Sequence, residues 1–251
     1  DQTIGTVPRL SGSLPEPSSF AAFGVTFAVF ATEQWIRTKD RAAGLIGLWL
    51  WVMILASTSS TGMFGASVYA LIAFPRFLLS SGNFGRKLAS VLVLAGLGLL
   101  AAGVSLARPD IFLGVRDFIA DLTINKGESA SGVERASWAA QGWSAFNASY
   151  GLGTGIGSFR SSSFPMAVLG SLGVIGSLLM LSYIAQVASK GMTKGPDASE
   201  KSAAWAATFT IVTVFFSAGT PDPGFAFGIF AGFAMRPHLI RRPAEANAIK
   251  A

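Results

Sequence analysis

Apolar residues in this sequence arrive in long blocks separated by short polar stretches. Seven blocks run approximately over 18–36, 43–57, 61–80, 88–107, 164–188, 203–220 and 224–236. Neither the alternation of a half-buried strand nor the one-sided stripe of a surface helix organises them. A helix of roughly 17 to 25 apolar residues crosses the hydrocarbon core of a bilayer, about 30 Å thick. The pattern predicts an all-α, multi-pass transmembrane helical bundle of about seven spans, with 1–251 as a single membrane domain. The second and seventh blocks are short, and the seventh reads as a half-span or as tilted into a thin region. The polar remainder gathers in residues 107–163, the one loop long enough to be more than a connector.

Composition agrees. Only 13% of residues are charged and 51% are hydrophobic, with a mean hydropathy of +0.53; a soluble domain carries about 25% charged residues. The charges that remain sort by side. If the chain alternates through seven spans, 13 of the 19 Lys and Arg residues fall on one face, which carries a net +8 against −2 on the other. Basic loops stay in the cytoplasm, so the 107–163 loop and the first residues are expected outside. The formal charge of +6 comes from residues at block ends, without a basic stripe interleaved with aromatics, so no nucleic-acid partner is expected. Cysteine is absent and His238 is the only histidine, which leaves no disulfide framework, thiol nucleophile or histidine metal site. The chain opens on Asp1, and its first 17 residues are polar and rich in Pro, Gly and Ser. It is expected to be the C-terminal part of a longer protein.

Two outer segments hold the candidate chemistry. In the first, Arg9 and Glu16 stand seven residues apart just before an apolar block, with Pro17 and Ser18 suited to start a helix. They read either as site residues or as solvated and headgroup-anchoring charges. The second is the long loop, with Glu134 and Arg135, then Gly151, Gly153, Gly155 and Gly157, then Arg160. Trp138, Trp143, Phe146 and Tyr150 are spaced as on an amphipathic helix at a membrane interface. No strand precedes the glycine run and no Gly-Lys-Ser/Thr closes it, so it is not a nucleotide loop. It reads either as a row of N–H groups presented to an anion or as a tight turn into the next span. Arginine binds phosphate oxygens with a planar fork and stays charged in a low-dielectric setting. Arg135, Arg160 and Arg9 on one face would suit a lipid-linked diphosphate.

Four motifs together carry a family resemblance. Arg9-Leu10-Ser11-Gly12…Glu16-Pro17-Ser18 enters the first span, and Ser59-Ser60-Thr61-Gly62 forms a turn two spans later. Arg135 precedes Gly151 with 15 residues between them, and Gly153-x-Gly155-x-Gly157 is followed by Leu169-Gly170-Ser171-Leu172-Gly173-Val174-Ile175-Gly176. In this order they resemble the C-terminal two-thirds of the O-antigen polymerase and O-antigen ligase superfamily. Ligases of that family carry a histidine in the large periplasmic loop and this loop has none, which tilts the resemblance toward the polymerases. The companion Arg-x10-Gly spacing of some polymerases is absent, Phe20 standing where its glycine would be.

The resemblance implies a metal-independent, cofactor-free glycosyltransferase of the bacterial inner membrane, with the large loop periplasmic. Its substrates would be undecaprenyl-diphosphate-linked oligosaccharide repeat units, polymerised into O-antigen or exopolysaccharide; a chain-length regulator is a further candidate partner. Arg135, Glu16 and Glu134 are then the expected catalytic residues, with Arg135 on a diphosphate and one of the two glutamates as base. Arg9, Arg160, Gly151, Gly153 and Gly155 are the expected substrate-binding residues. The alternatives are a ligase that moves glycan to lipid A-core or another acceptor, a transporter, and a membrane subunit without activity. Blocks 2, 4 and 6 contain no ionisable residue and no internal repeat is visible, both of which weigh against a transporter.

Overall fold

A computed structural model of the protein describes residues 3–4, 7–8, 11–12, 14, 16–79, 130–193, 197–215 and 218–236. The described residues are helical apart from one antiparallel bridge, Thr3–Ile4 (β1) with Val7–Pro8 (β2). The helices are α1 (Pro17–Thr38), α2 (Arg41–Ala56), α3 (Ser60–Leu79), α4 (Ala130–Ala148), α5 (Phe164–Met192), α6 (Ala198–Val214) and α7 (Phe225–Ala234). Six of them fall on six of the seven apolar blocks. The block at 88–107 lies outside the described residues, as does Arg9.

Local signals fix the ends. Pro17 occupies the first turn of α1, where its missing N–H costs nothing. At the other end Lys39 adopts a left-handed conformation at φ 61° and closes α1 through its N–H to the Trp35 carbonyl. Asp40 then caps α2, its carboxylate accepting from the Ala42 N–H at 3.0 Å. A two-residue link thus reverses the chain. Asp197 and Glu200 form a capping box at the start of α6.

α1 and α6 are the inner pair, antiparallel and flanked by the rest: α2 and α3 pack on α1, α5 and α7 on α6. Thr26 and Thr210 hydrogen-bond across this pair at 3.0 Å, and Gln34 Nε2 donates to Ser199 Oγ nearer its other end. Small residues permit the closeness. Ala203, Ala204, Ala206 and Ala207 of α6 are all fully buried, as are Ala21 and Ala28 of α1. One apolar cluster joins these α6 alanines to Val187, Phe227 and Phe230; a second gathers Val25, Val29, Ile54, Tyr69 and Phe209.

Alternating helices give the bundle two ends. The basic end carries Arg37, Lys39, Arg41, Arg76, Lys190 and Lys201; the far end carries Glu16, the α2–α3 turn, residues 149–163 and the α6–α7 turn. At the basic end, Glu33 is wholly buried. Arg37 donates to it at 2.6 Å, Arg76 grips both its oxygens at 2.8 and 3.1 Å, and the Tyr69 hydroxyl adds a fourth bond at 3.2 Å. The Arg76 guanidinium also lies over the Trp205 ring, 4.1 Å from its centroid. These charges, read from the sequence only as flanking residues, are one interhelical cluster.

Among the described residues, only α5 is both long and apolar enough to cross a membrane by itself. The expectation of about seven spans, the second and seventh short, is corrected to that extent. α2 and α7 have 16 and 10 residues, short of a full crossing, and α1 carries Thr26, Thr32, Glu33 and Gln34 among its apolar residues. α5 is itself broken: Gly173 has φ 65° and ψ −168°, dividing it into 164–172 and 174–192.

Candidate functional site

The break in α5 and the glycine run ahead of it are one structure. A helix interrupted at Gly173 leaves carbonyls and an N–H without intrahelical partners. The loop supplies them. Thr154 and Gly155 donate their N–H groups to the Gly170 and Ser171 carbonyls at 2.9 and 3.0 Å, and the Val174 N–H donates to the Gly151 carbonyl at 2.9 Å. Thr154 Oγ1 reinforces the first bond at 3.1 Å. The two backbones touch: a Cβ on Gly153 would lie 2.5 Å from the Gly173 nitrogen, and one on Gly173 would strike the Leu152 carbonyl carbon. Gly153 and Gly173 both have positive φ, so conformation and contact each demand glycine.

This decides between the two readings of the glycine run. The Gly151 N–H donates to the Phe146 carbonyl, Gly153 N–H to Ser149 Oγ and Gly155 N–H to the Ser171 carbonyl. These groups are committed within the protein and do not face an anion. The backbones of Gly151, Gly153 and Gly155, the glycines expected to bind substrate, fasten the loop to α5.

Beside this junction, at the far end, a cleft of about 530 Å³ opens among α1, α4, α6, α7 and the segment before α5. Glu16 and Ser18 line it from the start of α1, Trp138 from α4, and Arg160 with Ser161 from the segment leading into α5. Its floor includes the bonded Thr26 and Thr210. Two backbone bonds hold the wall: the Ser161 N–H to the Gly219 carbonyl and the Phe164 N–H to the Phe215 carbonyl, each at 3.0 Å. Glu16 and Arg160 are exposed, and Ser18 donates to the Glu16 carboxylate at 2.9 Å. Both ion pairs among the described residues converge on Glu33, so Arg160 has no carboxylate partner among them.

Glu16 and Arg160, 144 residues apart in sequence, therefore meet at one cleft. Glu134 and Arg135 lie on α4, Arg135 three residues before Trp138; their side chains fall outside the described residues. Of the aromatics expected on an interfacial helix, Trp138 faces the cleft, Trp143 and Phe146 stack at 5.5 Å, and Tyr150 lies just beyond the helix end. Ser161, Ser162 and Thr220 also line the cleft; the run of three serines directly after Arg160 marks the first two in the sequence, and no local pattern marks Thr220. A cleft with a carboxylate, a guanidinium without a carboxylate partner among the described residues, an indole and several hydroxyls can bind an oligosaccharide or a phosphate-bearing ligand. No family model, no curated protein and no solved structure matches the chain.

Proposed function

We propose that the protein is a membrane glycosyltransferase that polymerises diphosphate-linked oligosaccharides at the cleft. The observation that carries this is the meeting of Glu16, Arg160 and Trp138, from three separated segments, in one cleft at the end of the bundle poorer in basic residues. The membrane part draws support from surface character. α5 is buried over only 33% of its apolar window, unlike the core helix of a soluble protein. Leu45, Leu48, Trp49 and Val52 of α2 and Leu178, Leu179 and Leu181 of α5 are each at least half exposed, a grouping of large apolar side chains that suits an apolar surrounding. On this reading α1, α2, α3, α5 and α6 cross the inner membrane, the 16-residue α2 at a site of local thinning, and the 10-residue α7 enters it as a half-span, with the basic end cytoplasmic and the cleft periplasmic.

In the reaction, an acceptor sugar hydroxyl attacks the anomeric carbon of a lipid-linked chain. Its proton passes to a carboxylate, taken here to be Glu16, and the carbon–oxygen bond to the diphosphate breaks as negative charge grows on the leaving group. Arg160, together with Arg135 of α4, stabilises that charge. Trp138 offers a flat apolar face to a sugar ring, and the serine and threonine hydroxyls bond its polar edge.

The test is chain growth by the purified protein in liposomes supplied with undecaprenyl-diphosphate-linked repeat units. Arg160→Ala and Arg135→Ala are each expected to slow polymerisation about 100-fold, the scale of losing one preorganised charge stabiliser; Lys at either position restores only part, since the bidentate fork is lost. Trp138→Ala is expected to raise KM more than it lowers kcat, because ring stacking serves ground and transition states alike. Full activity in both arginine-to-alanine variants would sink the assignment. Glycan delivered to another acceptor would identify a ligase, and transfer of unaltered lipid-linked units between leaflets a transporter.

A further inference from the structure

From Ala136 to Phe159 the chain contains no Asp, Glu, Lys, Arg or His, although most of these residues are exposed. Near its end stand three large side chains almost free of protein contact: Tyr150, Leu152 and Ile156 are 94%, 76% and 75% exposed. Their backbone is held firmly. Tyr150 N–H donates to Asn147, Leu152 N–H to Ser149, and the neighbouring Gly151, Gly153 and Gly155 are bonded as described above. Ser158 Oγ braces the turn, with Thr154 Oγ1 2.6 Å away and the Gly155 carbonyl 2.8 Å away. A loop this well fastened displays its apolar groups in fixed positions.

The patch also has a neighbour of known character. Gly151 contacts the start of the long half of α5 through the Val174 N–H, and Val174 and Ile175 are themselves exposed. They begin the outward row that continues through Leu178, Leu179 and Leu181. The loop tip therefore extends, without an intervening charge, the exposed face of α5, the one helix among the described residues long and apolar enough to cross a membrane.

We propose that the glycine loop is an interfacial anchor, with Tyr150, Leu152 and Ile156 seated at the headgroup–acyl boundary of the leaflet on the cleft side. The inference rests on the membrane reading of α5. A tyrosine beside two aliphatic side chains suits that boundary, where an apolar body and a polar tip are both satisfied. Because the same loop is bonded to α5 and leads within four residues to Arg160, the anchor sets the height of the cleft above the bilayer.

The natural absence of cysteine makes the test direct. Single-cysteine variants Leu152→Cys, Ile156→Cys, Leu178→Cys and Arg41→Cys are spin-labelled in liposomes, and collisions with oxygen and with a water-soluble nickel chelate are compared. Oxygen should dominate at positions 178, 156 and 152, most strongly at 178, and the chelate at 41. Chelate dominance at 152 and 156 with oxygen dominance at 178 would overturn the anchor and leave the membrane reading intact. Chelate dominance at 178 would overturn both. Labels at 152 and 156 shielded from both reagents would mean that protein covers the loop, and would also overturn the anchor.

Discussion

Replacing Glu33 by alanine is expected to destabilise the protein by about 3 kcal/mol, read as a lowered midpoint of unfolding in detergent. Breaking a buried ion pair by removing one partner costs roughly 3–5 kcal/mol because the remaining charge stays behind uncompensated. Here two guanidiniums lose their acceptor together. The lower end of the range applies because the Arg37 and Arg76 side chains keep 19% and 37% exposure, and water screens what it reaches. The packing consequence reaches further than the pair. Arg76 joins α3 to α1 through Glu33 and to α6 through Trp205, so its release loosens three helices at the basic end. Replacing all three charges, Glu33→Leu with Arg37→Leu and Arg76→Leu, should cost less than Glu33→Ala alone, since no charge is then left unpaired. A larger loss in the triple variant would show that the cluster stabilises beyond mutual compensation.

Gly173→Ala is expected to be comparably severe, about 3 kcal/mol, and to act at the other end. Its φ of 65° with ψ of −168° lies in a region essentially reserved for glycine, where another residue costs about 1–3 kcal/mol. The added methyl would also meet the Leu152 carbonyl carbon and the Gly151 carbonyl oxygen, which are backbone atoms that cannot turn aside. The variant can relieve both strains by straightening α5, but Gly170 and Ser171 would then bond within the helix and release the loop. Hydrogen exchange reads this directly: the Thr154 and Gly155 amides should lose protection, while Val174, then bonded to the Gly170 carbonyl within the straightened helix, and the amides of α6 keep theirs. Gly228→Ala is the control. Outside its own helix no atom lies within 4 Å of its would-be methyl, and helix propensity favours alanine there, so no loss beyond about 0.5 kcal/mol is expected. Unaltered protection at Thr154 and Gly155 in Gly173→Ala would show that the junction does not depend on the glycine.

The two sites differ in how visible they were. Helix positions followed from apolar blocks because the blocks end where Pro17, Lys39-Asp40, Pro165, Asp197 and Gly224 stop or start a helix; α1 was expected over 18–36 and runs over Pro17–Thr38. Length misled where polar residues extend a helix beyond its apolar part, as Glu200 and Lys201 do for α6. The break at Gly173 was hidden because glycine among leucines also serves close helix packing. Gly24 illustrates that ordinary use: a methyl placed there would lie 3.0 Å from the Ile54 side chain. The Glu33 cluster was hidden by separation, since Arg76 lies 43 residues away and no local pattern pairs them. At the cleft, charge sorting put Glu16 and Arg160 on the same face, but only packing could bring in Trp138 and the serines.

The divided α5 has a mechanical consequence. Its short outer segment, 164–172, is tied by Phe164 to Phe215 and continues from the Ser161–Gly219 bond, so it travels with the α6–α7 turn. Its long segment, 174–192, packs through Val187 into the α6 alanines. An unbroken helix would transmit any displacement of the cleft wall along its whole length as one rod. Here the two levers share a single glycine as pivot, and the bonds between residues 151–155 and 170–174 act as a spring across it. A displacement of the cleft wall would be taken up at that joint, leaving the remainder of the bundle in place.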